Sequence, residues 1–530
     1  MRYRFCVVLL TLCLCHAAEL HASVIYVNGN ATGSRKGSSW ANAHTELRPA
    51  LAAAVAKDEI WVAAGTYTPG KNRTDTFLLK PDVAIYGGFN GTEPARDQRN
   101  RTANLTVLSG DLLGNDSGFA NNTENVYHVV TGADNATIDG FVITGGNANG
   151  TGANAFGGGM YNLSASPTIQ HCFFFGNSAG EGGGGGGMCN SAASPRIVRC
   201  TFAGTRGGYG GAVRNHDSSS PEIRDCLFSG NSATWCAAGI YNNHSTPAVE
   251  SCTFCGNSGA NVAGAAMYNG FSSPAVRNCL FVGNSSVIGF GGTGGAMWNH
   301  YASSPSIENC TFFGNACFSF GGALYGSGGS TPVMRNCIIW GCSSKFRAKG
   351  LFQYGGTASV FHSDMQGGFS DIGALTFDEK EVINGGGNID ADPLFVGGPT
   401  GTWTQDAAYD ARTFQSTLTD AKATWQPGRL KGKFIQPDTE SALQYAIVAN
   451  GANSLTIWGN VRAAALNGEA YRINDCHLRE GSPCIDAGAN LAGVTSDLDG
   501  TPRSTDGNND GKAAIDIGVY EFVSPKAVGQ

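Results

Sequence analysis

Arg206, Arg214, His216, Asp217, Glu222, Arg224 and Asp225 form the densest group of side chains in the sequence that is able to do chemistry. Elimination on a uronic polysaccharide needs a cation or an arginine to neutralise the sugar carboxylate, and a base to take the adjacent proton. Hydrolysis of a glycosidic bond needs two carboxylates at a set separation. Arg214, His216 and Asp217 are therefore the candidate catalytic residues. Plain surface charge on an irregular repeat is the competing reading.

Three other groups carry different chemistry. Tyr161, Tyr241, Tyr268, Trp298 and Tyr325 each sit just before the position of the second asparagine column, so successive units would set their rings in a row. Such a row is a flat apolar strip with polar tips, on which sugar faces stack. Tyr241, Tyr268, Trp298 and Tyr325 are the candidate ligand-binding residues; a self-stacking ladder that stiffens the fold is the alternative. His216, His244 and His300, one or two residues further on, are too irregular for a metal site and read as solvated turn residues. Asp506, Asn508 and Asp510, with Gly511 in the sixth position, begin an oxygen-rich calcium loop. Its twelfth position is Ile517 rather than glutamate, which leaves Asp516 as the substitute ligand. Calcium is thus the one cofactor expected, against a plain Asn/Gly turn. Cys476 and Cys484 flank a short turn and are the expected disulfide.

All but the last two groups sit on one repeating unit. Prolines at 167, 195, 221, 247, 274, 305 and 332 recur every 26 to 31 residues, and a cysteine follows each by five. A period of this length predicts a solenoid, since each unit can bury its apolar face only against a copy of itself. Strand parity puts Cys172, Cys226 and Cys252 on the same face as Phe174, Phe228 and Phe254, and that face is the interior. Met160, Met188, Ile240 and Met297 point inward by the same rule. Asn177, Asn231, Asn257, Asn284 and Asn315 fall at one turn, and Asn162, Asn190, Asn215, Asn242, Asn269 and Asn299 at another. There asparagine tolerates left-handed backbone and can bond to its copy in the next coil. Arg224, Glu250, Arg277, Glu308 and Arg335 alternate in sign down one outward column, an exposed structural ladder.

The fold expected is an all-β right-handed parallel β-helix over 23–400, with a capping helix at about His44 to Ala56. Glycine thins out over 401–473, which reads as a small inserted β module. Residues 474–530 read as the tail of the helix. Residues 1–22 read as a signal peptide: Arg2 and Arg4 precede an apolar run from Phe5 to Cys15, too short to span a bilayer, and Ala17, Ala18 and Ala22 follow. No later stretch is apolar enough for a transmembrane helix. A formal charge of −7 without a basic stripe argues against nucleic acid.

The Phe-x-x-Asn element (Phe174 to Asn177, Phe228 to Asn231, Phe254 to Asn257, Phe281 to Asn284, Phe312 to Asn315) resembles the repeats of polymorphic outer-membrane proteins. The layout is similar to the pectate-lyase-like superfamily of right-handed parallel β-helices. Asp392 to Phe395, Ser482 to Gly488 and Asp516 to Glu521 resemble the tail of bacterial exported β-helix proteins with interchangeable anchors. Nothing after Glu521 matches the translocating barrel of the first group, and Phe522 to Gln530 holds no sorting signal of the last. No paired-aspartate motif of polygalacturonases and no matching lyase arginine is present. The resemblance implies fold more than activity. The function expected is an exported or cell-surface protein, outer-membrane associated, presenting a long surface for adhesion or glycan binding. Its partner would be a polysaccharide, a cell-surface glycan or a surface protein. A lyase-like enzyme using the groove beside the aromatic strip, and a structural envelope component, are the alternatives.

Overall fold

Each repeat folds as one coil of a parallel β-helix in the computed structural model, which describes residues 22–260, 263–288, 292–370, 372–374, 382–508 and 510–524. The expected signal peptide falls, but for Ala22, outside the described residues, as do residues 525–530. The coils build four parallel sheets, a regular coil contributing to each in turn. The first, of 13 strands, carries the residues after each proline, such as Glu222–Arg224. The second, of 11, carries Leu227–Ser229 and its copies. A third, of 8 short strands, includes Ser232–Cys236, and a fourth, of 11, includes Ile240–Asn243. Among the described residues no helix is long and apolar enough to cross a membrane.

Stacking in register puts like on like. Phe174, Phe202, Phe228, Phe254, Phe281 and Phe312 lie parallel inside the second sheet at centroid spacings of 4.6–5.1 Å. The repeat cysteines line the same interior and are all free thiols. Each thiol donates to a carbonyl of the coil before it, as Cys252 Sγ does to Ile223 O at 3.6 Å. The asparagine turns form two buried ladders. From Asn162 to Asn299 each Nδ2 donates to the next Oδ1 at 2.8–2.9 Å. The ladder stops where its neighbours are Gly132 and Gly326, leaving Asn162 Oδ1 and Asn299 Nδ2 unpaired at its two ends. The left-handed backbone falls elsewhere than expected: it belongs to the glycine before each asparagine of the other ladder (Gly230, Gly256, Gly283) and to the residue before each cysteine (Asp225, Ser251, Asn278). The asparagines thus keep ordinary angles and spend both amide groups on coil-to-coil bonds.

The outward charge column is in register as expected, and Arg224–Glu250 (2.7 Å) and Arg277–Glu308 (2.8 Å) close as ion pairs. Each contributes about 0–1 kcal/mol at this exposure. The capping helix is shorter than expected, Leu47–Ala53, because Ala54 is already extended. Its buried Leu47, Ala50 and Leu51 join the solenoid core and seal its first coil.

A seven-stranded antiparallel sheet runs from Thr400–Thr402 to Ala470–Asn474 around Trp403, Leu418, Ile457 and Tyr471. The segments around Asp392 and Gly481, expected as late coils, instead form antiparallel bridges, Phe395 with Leu478 and Gly488 with Ile515. They strap across the outside of the second sheet. Cys255, Leu280, Val282 and Ile338 point outward there and are covered by Phe434, Ala446, Ile517, Val519 and Tyr520. The outward apolar residues of that column demand such a cover.

Candidate functional site

Arg214 and His216 lie on the strand Val213–His216 of the fourth sheet, with Asp217 just beyond it. In register, Arg214 sits between Cys189 and Tyr241. Its guanidinium is enclosed by the rings of Phe156 (4.8 Å), Tyr209 (5.5 Å) and Tyr241 (5.6 Å), and its Nε and Nη1 are buried without a hydrogen-bond partner. His216 is not a solvated turn residue. Its Nδ1 meets Asp217 Oδ2 at 2.7 Å and its Nε2 faces Cys189 Sγ at 3.4 Å, while Ser191 Oγ donates to Asp217 Oδ2 at 3.0 Å.

Cys189–His216–Asp217 is the order of a nucleophile, a base and the group that orients it. Sequence reading missed Cys189 because it replaces an aromatic ring in its column. Access and charge oppose catalysis. Cys189 is fully buried, and burial pushes its thiol up to about 12, outweighing the lowering by Arg214. Burial, then Arg214, lower His216 and keep it neutral, so it has no imidazolium with which to stabilise a thiolate. Native protein treated with iodoacetamide is therefore expected to carry no adduct on Cys189 by peptide mass spectrometry, whereas unfolded protein does. Stoichiometric labelling in the folded state would restore the nucleophile reading.

The expected aromatic column is real, but it spends its faces on itself. Tyr241 and Tyr268 stack at 5.0 Å with 5° between planes, and Tyr268 meets Trp298 edge-on at 5.2 Å. Tyr268 is buried, so it offers no face to a ligand; Trp298 and Tyr325 are half-buried. Trp298 Nε1 donates to Ser327 Oγ at 2.8 Å, and His300 Nδ1 lies 2.7 Å from the same hydroxyl.

Beside this column runs a second row that sequence reading passed over. His244, Phe271 and Tyr301 occupy left-handed or turn positions one coil apart and stack at 4.6 and 4.8 Å, with planes within 6°. Phe271 is 50 % and Tyr301 47 % exposed. The next coil places Gly328 beside Tyr301, where a Cβ would come 2.9 Å from the Tyr301 nitrogen. The His300 ring closes on Tyr301 at 3.5 Å, tilted by 44°, and caps the stack at that end. The visible signal was an aromatic or histidine two residues past the ladder asparagines Asn242, Asn269 and Asn299, at 244, 271 and 301.

The expected calcium ligands do not converge. Asp506 Oδ2 accepts from Gly511 N at 2.9 Å, and Asn508 Oδ1 and Asp510 Oδ1 accept from Asp510 N and Lys512 N, closing a local turn. Asp516 is buried elsewhere, its oxygens accepting from Asp486 N and Phe522 N at 2.8 and 2.6 Å. The Cys476–Cys484 disulfide is likewise not formed. Both thiols are free, Cys476 packed with Tyr520 and Cys484 donating to Asp364 Oδ2 at 3.3 Å.

Residues 115–287 match the family described as "Right handed beta helix region". No curated protein matches the chain in sequence. Among solved structures, pectate lyase Pel9A is similar over 94 % of this chain and 96 % of its own, at 14 % identity and a TM-score of 0.40. The tailspike protein gp49 of Pseudomonas phage LKA1 is similar over 79 % of this chain and 66 % of its own, at 12 % identity and a TM-score of 0.21. The enzymatically active domain of Bacteriophage CBA120 tailspike protein 4 is similar over 79 % and 62 %, at the same identity and TM-score.

Proposed function

We propose that this protein is a non-catalytic β-helix, exported and displayed at a surface, that holds glycan chains along the turns just past the strands of its fourth sheet. The half-exposed stack of His244, Phe271 and Tyr301 carries this reading. Stacked rings one coil apart present half-exposed apolar edges along the solenoid axis. Trp298, His300 and the Ser327 hydroxyl supply polar groups alongside. No lysine or arginine stands in the row itself, which favours neutral over acidic sugars. The enclosure of Arg214 by three rings removes the arginine that a lyase would turn toward a substrate carboxylate. Export rests on the apolar run from Phe5 to Cys15.

Affinity electrophoresis through gels carrying neutral and acidic polysaccharides tests the reading. Retardation by a neutral glycan is expected, weakened about tenfold by Phe271→Ala with Tyr301→Ala, since each ring contributes about 0.5–1.5 kcal/mol. Tyr268→Phe should leave it unchanged. Failure of every glycan to retard the protein, or retardation indifferent to the double replacement, sinks the proposal. Unsaturated products appearing by absorbance, and lost on Arg214→Lys, would replace it with the enzymatic alternative.

A further inference from the structure

Between the strands Thr106–Ser109 and Val130–Thr131 the chain leaves the coil in a long loop. Oxygens of Asp111, Asp116 and Glu124 converge there, all within 4.8 Å of one another. Oxygens on opposite sides of one calcium ion, each at 2.3–2.6 Å, are separated by about this much. None of the three carboxylates forms an ion pair among the described residues. Arg412, across the neighbouring cavity of about 250 Å³, lines the same space without pairing with any of them.

A second observation comes from the neutral side chain beside them. Asn125 is 1 % exposed, and its Nδ2 is held on Asp116 Oδ2 at 2.7 Å. Its Oδ1 is enclosed with no hydrogen-bond partner, and so are Asp116 Oδ1 and Glu124 Oε1. Native folds leave few such atoms, because each orphan costs about 1–3 kcal/mol. A water donates two hydrogens, too few for three acceptors, and leaves the repulsion among three carboxylates in place. One hard cation answers both needs. Irregular all-oxygen coordination of six to eight ligands suits calcium; magnesium demands a near-ideal octahedron and zinc prefers nitrogen and sulfur.

We propose that Asp111, Asp116, Glu124 and the side-chain carbonyl of Asn125 bind one calcium ion, which sets the loop carrying Phe119. Phe119 meets Phe414 of the antiparallel sheet edge-on at 5.6 Å, and the Arg206 guanidinium covers it at 4.1 Å. The ion thereby fixes one of the contacts that seat that sheet on the solenoid. The site is separate from the glycan shelf and stands or falls independently of it.

Calorimetric titration of the full, chelator-treated and desalted protein with calcium chloride, and separately with magnesium chloride, decides the matter. One saturable calcium site is expected, with magnesium at least about tenfold weaker, and a thermal midpoint that rises with calcium. Asp116→Asn with Glu124→Gln should weaken calcium binding by more than about 100-fold. Asp506→Asn, in the other acidic loop, should leave it unchanged. The proposal is overturned by no saturable calcium heat in the unaltered protein, by tighter magnesium binding, by calcium binding that survives the double replacement, or by its loss in Asp506→Asn. Should the double variant not fold, the unaltered protein and Asp506→Asn still decide.

Discussion

Replacing Phe254 with alanine is expected to cost about 3–5 kcal/mol of unfolding free energy. The ring is fully buried between Phe228 at 4.6 Å and Phe281 at 4.8 Å, so truncation removes contacts on both faces. Little relaxation can close the gap. The strand bearing Phe254 is pinned in register to Phe228 on one side and Phe281 on the other, and Asn257 bonds to Phe228 O and to Asn284. Neighbouring coils are held apart by the same ladders, so the space remains as a cavity. Phe271→Ala, on the exposed shelf, should cost under about 1 kcal/mol by comparison. Guanidinium denaturation followed by tryptophan fluorescence measures both. Equal midpoints for the two variants would mean that the interior ladder does not bear the fold.

Arg503→Met should destabilise the tail by about 3–5 kcal/mol. Arg503 and Glu521 pair at 2.8 Å with side chains 1 % and 0 % exposed. The guanidinium also donates to Asn278 Oδ1 at 2.6 Å and to the carbonyls of Gly518 and Val519, so one side chain ties the tail to a coil more than 200 residues earlier. Removing it leaves a buried carboxylate whose pKa burial already raises, beside a buried Asp516 pushed up to about 7 by burial and then by Glu521. Arg503→Met combined with Glu521→Leu should recover most of the loss, because the desolvated charge then goes with its partner. Limited proteolysis of residues 485–524 reads local release, and denaturant midpoints read the global effect. A single replacement costing under 1 kcal/mol, or a double replacement no better than the single, would show that this pair does not anchor the tail.

Much of the solenoid was legible because its information repeats. A residue at one position is the vertical neighbour of its copy one period later, so strand parity and period together gave the inward cysteines and phenylalanines, the asparagine ladders and the alternating charges. Contacts off that lattice were not legible. Cys189 meets His216 diagonally across paired strands, and whether the thiol is open to solvent depends on the glycine-rich chain folded over it. The aromatic column could be located, but not how its rings tilt; the coil spacing leaves Tyr241 and Tyr268 stacked on each other. The shelf of Phe271 and Tyr301 escaped notice because its residues vary from coil to coil.

By itself, the sequence determined what one coil requires of the next: the β-helix, its interior, its turns and its sealed first end. Those requirements are short-ranged and restated at every period, so no distant partner is needed to read them. Tertiary structure alone decided which outer face is roofed by the antiparallel sheet and tail. It alone brought Asp111, Asp116 and Glu124 together, with Asn125 bonded to Asp116, and set Asp516 on the backbone of Asp486 and Phe522. Those outcomes depend on where irregular loops come to rest, which is set by packing among segments that share no period.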